Sequence, residues 1–356
     1  MNPIDFRRWA VVAHKDDTGL GRMARDARRV LGLGRHIVIP SERLADHPLD
    51  PAADFLLAPG DPAEKVARAL DGLQGVLVLE RPDWHPALLR TARELGVRTV
   101  VVPMWEWFRR AASAWEWCDL FACPNRMALR TLQKFGRENV VELPWCLDLA
   151  SLPTQKIAGP ARRFVHNAGL VDFNDRKGTR DTIEAFRRVK RDDIQLVVRM
   201  QKEAALPPLD PRIEIRIGNV ADHAELYRDA DVAIQPSKME GIGFMVLEAV
   251  AAGLPVVTLD YAPMNEFVAQ PEMRASVRWW KPRAFHPSWN LPHARLALPN
   301  RRDLARRIAW CADHDMAPLA AQNRAWAEAV FAPEELRRVW AETLAVRLFG
   351  DSSAAR

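Results

Sequence analysis

The sequence predicts an α/β protein built from two doubly wound domains in tandem, on three observations. The chain of 356 residues is longer than one hydrophobic core usually organises. Short β-rich runs alternate with helical stretches along most of it, the pattern of parallel sheets covered on both faces. The alternation breaks once, over Leu147–Arg163, where Pro153, Gly159 and Pro160 remove all periodicity and place a linker.

In the first half, Trp9–Ala13, His36–Pro40, Gly75–Leu79, Arg98–Val102 and Phe121–Pro124 read as strands. Met23–Leu31, Ala63–Leu70, Pro86–Leu95 and Arg126–Phe135 read as the helices between them. In the second half the strands are Phe164–Asn167, Gln195–Arg199, Ile213–Ile217, Val232–Gln235 and Pro255–Leu259, with helices Thr179–Val189, His223–Ala230 and Phe244–Ala252. His286–Pro299 reads as a Pro- and aromatic-rich loop. The tail holds helices Arg301–His314, Leu319–Val330 and Pro333–Phe349, the last with proline at its first turn.

Composition narrows the function classes. Hydrophobic content of 48% and charged content of 27% are those of an ordinary soluble protein, with no apolar run of membrane-span length. Met1–Asp17 reads as a first strand rather than a secretory signal. The four cysteines show no metal or redox spacing, so reduced cytoplasmic thiols are expected. A net charge of +5 suits anionic partners, and no nucleic-acid-binding fingerprint accompanies it.

The chemistry concentrates in Pro236–Pro255. Between Gly241 and Leu259 the only charged residue is Glu248, on a helix apolar around most of its circumference. A buried carboxylate needs donors, which ribose hydroxyls would supply at a nucleotide site. An outward-pointing side chain at the helix end, or pairing with a buried arginine, would satisfy it equally. Glu240 lies eight residues earlier, in the turn before the helix. Gly241 and Gly243, flanking Ile242, let backbone approach a ligand, and the helix start at Phe244 offers N–H groups to a diphosphate.

Glu240-x7-Glu248, in a Pro-Ser…Glu-Gly-x-Gly context and followed by Gly253-Leu-Pro255, resembles retaining glycosyltransferases of family 4, of GT-B fold. The resemblance covers residues 164 to 270. It includes Arg176-Lys177-Gly178, similar to the family's phosphate-binding Lys-Gly segment, and Ile217-Gly218-Asn219-Val220. It implies two Rossmann-like domains facing a central cleft: 1–150 on the acceptor side, 160–330 for the donor nucleotide, and a helix in 331–356 crossing back to the first. Glu248 would hold the ribose and Glu240 the donor sugar. Lys177 and Arg176 would neutralise the departing diphosphate, and the backbone around Asn219 and Val220 would hold the base. The family's Gly-Arg after the first strand of this domain reads Ala168-Gly169-Leu170 here, so Arg176 or Arg199 would have to replace that arginine.

On the acceptor side, Gly19-Leu-Gly21-Arg-Met-Ala24 matches a dinucleotide fingerprint, with Glu42 near the ribose-acid position. Four residues intervene between strand and glycine, too long for that turn. Family 4 enzymes also carry a glycine-rich loop here. The relatives' histidine after the fourth strand is missing, leaving Glu106 as the nearest polar residue and His14 as another inward candidate. Trp105, Trp107, Trp115 and Trp117 surround Arg109-Arg110, a pattern that suits core packing, sugar stacking or a membrane interface. The expectation is a nucleotide-sugar donor, a glycan or lipid-linked acceptor, no metal, no separate cofactor, no nucleic acid, and a cytoplasmic location that allows contact with the membrane's inner face. The rivals are a nicotinamide-dependent oxidoreductase on the Gly19 loop, a non-catalytic sugar-nucleotide binder, and a GT-B epimerase.

Overall fold

The computed structural model describes residues 4–42, 44, 47–108, 113–171, 175–280 and 295–350. Two compact units emerge, one of Met1–Asp148 with Val330–Arg356, the other of Leu149–Ala329.

The first unit contains β1 (Trp9–Ala13), α1 (Gly19–Leu31), β2 (Arg35–Val38), β3 (Asp54–Leu56), α2 (Ala63–Leu70), β4 (Gly75–Glu80), α3 (Leu88–Glu94), β5 (Arg98–Pro103), β6 (Leu120–Cys123), α4 (Arg126–Lys134) and β7 (Val140–Glu142). Its seven strands form one sheet in the order β3-β2-β1-β4-β5-β6-β7, with every pairing parallel. Burial on both faces explains why β1 and the Val-Leu-Val core of β4 are continuous apolar runs. β3 and β7 lie at the two edges and have three residues each, too short to show periodicity.

The second unit contains β8 (Arg163–Gly169), α5 (Thr179–Phe186), β9 (Gln195–Met200), β10 (Ile213–Ile217), β11 (Val232–Gln235), α6 (Phe244–Ala251), β12 (Val256–Leu259), α7 (Met264–Phe267), β13 (Arg274–Ala275), β14 (Val277–Trp280), β15 (Leu296–Pro299), α8 (Arg301–Asp313) and α9 (Ala317–Val330). Six strands run parallel in the order β10-β9-β8-β11-β12-β13. Strand order reverses between β8 and β11, and doubly wound sheets bind ligands beyond the carboxyl ends of such a pair.

Three local expectations are corrected. His223–Ala230 is not a helix: only a 3-10 turn forms at His223–Leu226, started by an Asp222 capping box. The end of the expected loop His286–Pro299 is strand β15, antiparallel to β14, while 286–294 lie outside the described residues. Helix α1 starts at Gly19 rather than Met23, because Thr18 caps it and accepts from the Gly21 N–H at 3.4 Å.

The last helix, α10 (Pro333–Phe349), belongs to the first unit. Arg337 Nη2 donates to the Val30 carbonyl at 2.9 Å, Trp340 Nε1 to Pro144 at 3.0 Å and Arg347 Nη2 to Val140 at 2.9 Å. All four cysteines are buried free thiols; burial pushes Cys123 up to about 12, away from thiolate chemistry. Among the described residues no helix is long and apolar enough to cross a membrane.

Candidate active site

Beyond the carboxyl end of β8 the chain reaches Asp175, Arg176, Lys177 and Gly178; beyond β11 it runs Pro236 to Gly243 into α6. The two segments are tied together. Lys238 N–H donates to the Arg176 carbonyl at 2.7 Å. Gly178 has φ +73°, and a Cβ there would stand 2.4 Å from the Pro236 carbonyl oxygen. Glycine is required on both counts, conformational and steric.

This contact brings three predicted residues together. Glu240 Oε1 accepts from Lys177 Nζ at 2.6 Å, and Oε2 from Arg176 Nη1 at 3.1 Å. Glu240 is 7% exposed. Burial pushes its pKa up, but Lys177 and then Arg176 push it down further, and it ends below the usual carboxylate value. The cluster is an ionised carboxylate between two cations. A guanidinium and an ammonium at one point are the groups that bind phosphate oxygens, and a carboxylate is the group that accepts from sugar hydroxyls.

Helix α5 does not present a free N-terminus. Asp175 Oδ1 accepts from Thr179 N–H at 2.9 Å and Oδ2 from Arg180 N–H at 3.0 Å. Lys238, itself buried, reaches Asp181 at 2.8 Å and Asp175 at 3.3 Å. Burial raises the Asp175 pKa despite Lys238. Helix α6 differs: Gly243 caps it at φ +83° and no side chain bonds its first turn among the described residues. Its N-terminal dipole therefore carries no capping carboxylate, unlike that of α5.

Glu248 is fully buried on α6, and its donors come from the chain itself. Tyr227 Oη donates to Oε2 at 2.6 Å and His223 Nε2 lies 2.7 Å from Oε1. Its side chain does not point outward, and the partners found for it among the described residues are Tyr227 and His223 rather than an arginine. Each carboxylate oxygen can accept more than one bond, so ribose hydroxyls remain compatible. Sequence reading missed both partners. The signal available was their spacing: His223 and Tyr227 stand four apart just before β11, and tyrosine occurs only twice in the chain.

The remaining predicted residues are more dispersed. Asn219 is exposed after β10, its Oδ1 accepting from Gln201 Nε2 at 3.0 Å, and Val220 is half-buried beside it. Arg199 is half-buried on β9, separated from β11 by β8; burial, then Arg216, lowers its pKa. Its Nε has no hydrogen-bond partner among the described residues. Gly241 and Ile242 are buried, and Phe244 is half-buried at the start of α6. Gln235, fully buried at the end of β11 with neither amide atom hydrogen-bonded among the described residues, is a further residue the sequence did not reveal.

In the first unit, a Cβ on Gly19 would meet only open space, whereas one on Gly21 would stand 2.1 Å from the Asp16 carbonyl oxygen. The close approach that a dinucleotide fingerprint reserves for pyrophosphate is thus made by the chain's own turn. Asp16 also places a carboxylate at this helix start, 2.9 Å from the Thr18 N–H. Burial raises the Asp16 pKa, its Thr18 and Ser41 bonds lower it, and the net is downward. Glu42 is exposed. Glu106 is buried in the 3-10 turn after β5. His14 Nδ1 lies 2.9 Å from the Ile39 carbonyl oxygen. Trp105 and Trp115 are buried core residues, while Arg81 lies over Trp84 and Trp107 and Arg93 over Trp117. Arg109 and Arg110 lie outside the described residues.

Residues 162–285 match the family described as glycosyl transferases group 1. That match contains Arg176, Lys177, Glu240 and Glu248. No curated protein matches the chain. Among solved structures, a glycosyltransferase from Rickettsia africae ESF-5 aligns over 96% of this chain and 99% of its own, with a TM-score of 0.67 at 14% identity. The sucrose-phosphate synthase of Thermosynechococcus elongatus aligns over 96% and 98%, with a TM-score of 0.63 at 13% identity. The lipopolysaccharide outer core galactosyltransferase WaaB aligns over 94% and 99%, with a TM-score of 0.60 at 10% identity. These likenesses show the GT-B fold, and with the family match they support a glycosyltransferase.

Proposed function

We propose that the protein is a retaining, family 4-like glycosyltransferase that moves a sugar from a nucleoside-diphosphate donor to a hydroxyl of a glycan or lipid-linked acceptor. The observation that carries this reading is the Arg176–Glu240–Lys177 cluster at the β8/β11 switch point, with Glu248 eight residues on. As the bond from the anomeric carbon to the diphosphate oxygen breaks, negative charge grows on the leaving group. Lys177 and Arg176 stabilise that charge more in the transition state than in the ground state, which is what lowers a barrier. Glu240 positions the sugar, Glu248 the ribose, and the backbone at Asn219 and Val220 the base. Arg199 supplies a further cation on the nucleotide side. Glu106 and the Gly19–Gly21 loop serve the acceptor side. The reaction needs no metal. We place it in surface polysaccharide or lipopolysaccharide assembly, in the cytoplasm at the membrane's inner face.

A thermal-shift panel of UDP-, GDP-, ADP-, CMP- and dTDP-sugars tests the reading, run with NAD and repeated in chelator. One sugar nucleotide should raise the melting temperature, with transfer to acceptor undiminished by chelator. Stabilisation by NAD alone would favour an oxidoreductase. Binding without transfer would leave a non-catalytic binder, and a changed sugar without acceptor an epimerase.

A further inference from the structure

The second unit holds a cavity of about 800 Å³ that adjoins the candidate site through Asp175 and Lys238 but is lined by none of Arg176, Lys177, Glu240 or Glu248. Its volume falls in the range of small-molecule sites, roughly 300–1,000 Å³. Beside the apolar Val277, Leu298 and Pro299, its lining presents six basic side chains, Arg180, Arg188, Arg278, Arg301, Arg302 and Lys238. Two acids offset them, Asp175 and Asp181, and both are already engaged by Lys238, with Arg301 Nε at 2.6 Å from Asp181. Arg188, Arg278 and Arg302 are exposed and form no ion pair or side-chain hydrogen bond among the described residues. Three elements distant in sequence supply them: the segment after α5, strand β14 and the start of α8. Like charges gathered from separate elements repel one another, and an anion bridging them removes that cost. Guanidinium groups favour phosphate in particular, through paired N–H donors.

We propose that this cavity is a second anion site, taking a compact molecule with two or more phosphate groups, separate from the donor site. It does not depend on the glycosyltransferase reading. Inorganic pyrophosphate and tripolyphosphate are the probes, titrated calorimetrically into the full chain. The donor site is weakened by Lys177→Ala, the cavity by Arg278→Ala with Arg302→Ala, and its charge is kept by Arg278→Lys with Arg302→Lys. The alanine pair removes side chains without acidic partners, so its melting temperature should stay within about 2 °C of wild type. Tripolyphosphate should still bind Lys177→Ala, weaken at least about tenfold when the alanine pair is added to it, and recover in part with the lysine pair. Binding abolished by Lys177→Ala alone would overturn the proposal, as would binding indifferent to the alanine pair. So would capture on phosphatidylglycerol vesicles with no tripolyphosphate bound to Lys177→Ala, which would make the patch a lipid-facing surface.

Discussion

Replacing Glu248 tests how the buried carboxylate is held before any ligand is added. In the folded chain Tyr227 Oη and His223 Nε2 lie 2.6 and 2.7 Å from its two oxygens, on a residue with no exposure to solvent. Glu248→Ala removes both acceptors and leaves a buried hydroxyl and a half-buried imidazole to find new partners. A hydrogen bond to a charged group is worth about 1.5–3 kcal/mol, so losing two of them costs roughly 3–5 kcal/mol. For a unit of this size, each kcal/mol corresponds to about 2–4 °C, so its transition should fall by roughly 6–20 °C. Glu248→Gln keeps one carbonyl acceptor and presents an amide N–H₂ to an imidazole that can accept in its other tautomer. It should cost only about 1–2 kcal/mol. Calorimetric melts of the ligand-free proteins measure both. An alanine variant melting within about 2 °C of wild type would refute the account, since no buried carboxylate with two donors is removed that cheaply. Glu248→Gln is therefore the variant in which donor affinity is best read, because a loss in Glu248→Ala mixes binding with folding.

Glu240→Gln removes one negative charge from beside Arg176 and Lys177. Free nucleoside diphosphate should bind about tenfold tighter, while sugar transfer falls about a hundredfold or more; unchanged transfer rates would remove Glu240 from the chemistry. Gly178→Ala forces a side chain into φ +73° and 2.4 Å from the Pro236 oxygen. It should lower stability by about 1–3 kcal/mol and weaken donor binding, seen by melting and titration; wild-type values in both would show that the two segments tolerate separation. Acid should destabilise both units. Burial lowers His36 and His166 to about 4, and each stays neutral in the fold while the unfolded chain protonates near 6.5. Below that value the unfolded state binds more protons, so stability falls as pH drops from 6.5 towards 4, by up to about 3 kcal/mol per histidine. Melts across this range should show the decline, and it should shrink in His166→Gln.

The doubly wound pattern was legible because buried parallel strands are continuous apolar runs, as in β1, β4 and β11. What escaped was short or depended on tertiary contact. β3, β7 and β13 carry two or three residues each, and β15 ends a segment whose prolines read as loop. Glu240, Arg176 and Lys177 were visible as a motif, yet their mutual pairing was not, because it needs segments sixty residues apart to meet at Gly178 and Pro236. For Glu248 the sequence showed that donors were needed. It did not show that Tyr227 and His223 supply them. Gly19 and Gly21 looked alike in the motif, and only the fold separates the open position from the one packed on Asp16.

The central claim is that Lys177 holds the diphosphate of a nucleotide sugar whose sugar lies at Glu240 and whose ribose lies at Glu248. The most direct test is calorimetric titration of the stabilising sugar nucleotide into wild type and Lys177→Ala. Loss of one charge-assisted contact to phosphate should weaken binding by about 1.5–3 kcal/mol, roughly ten- to a hundredfold, at a stoichiometry of one. Equal affinity in the two proteins would place the donor elsewhere and contradict the account.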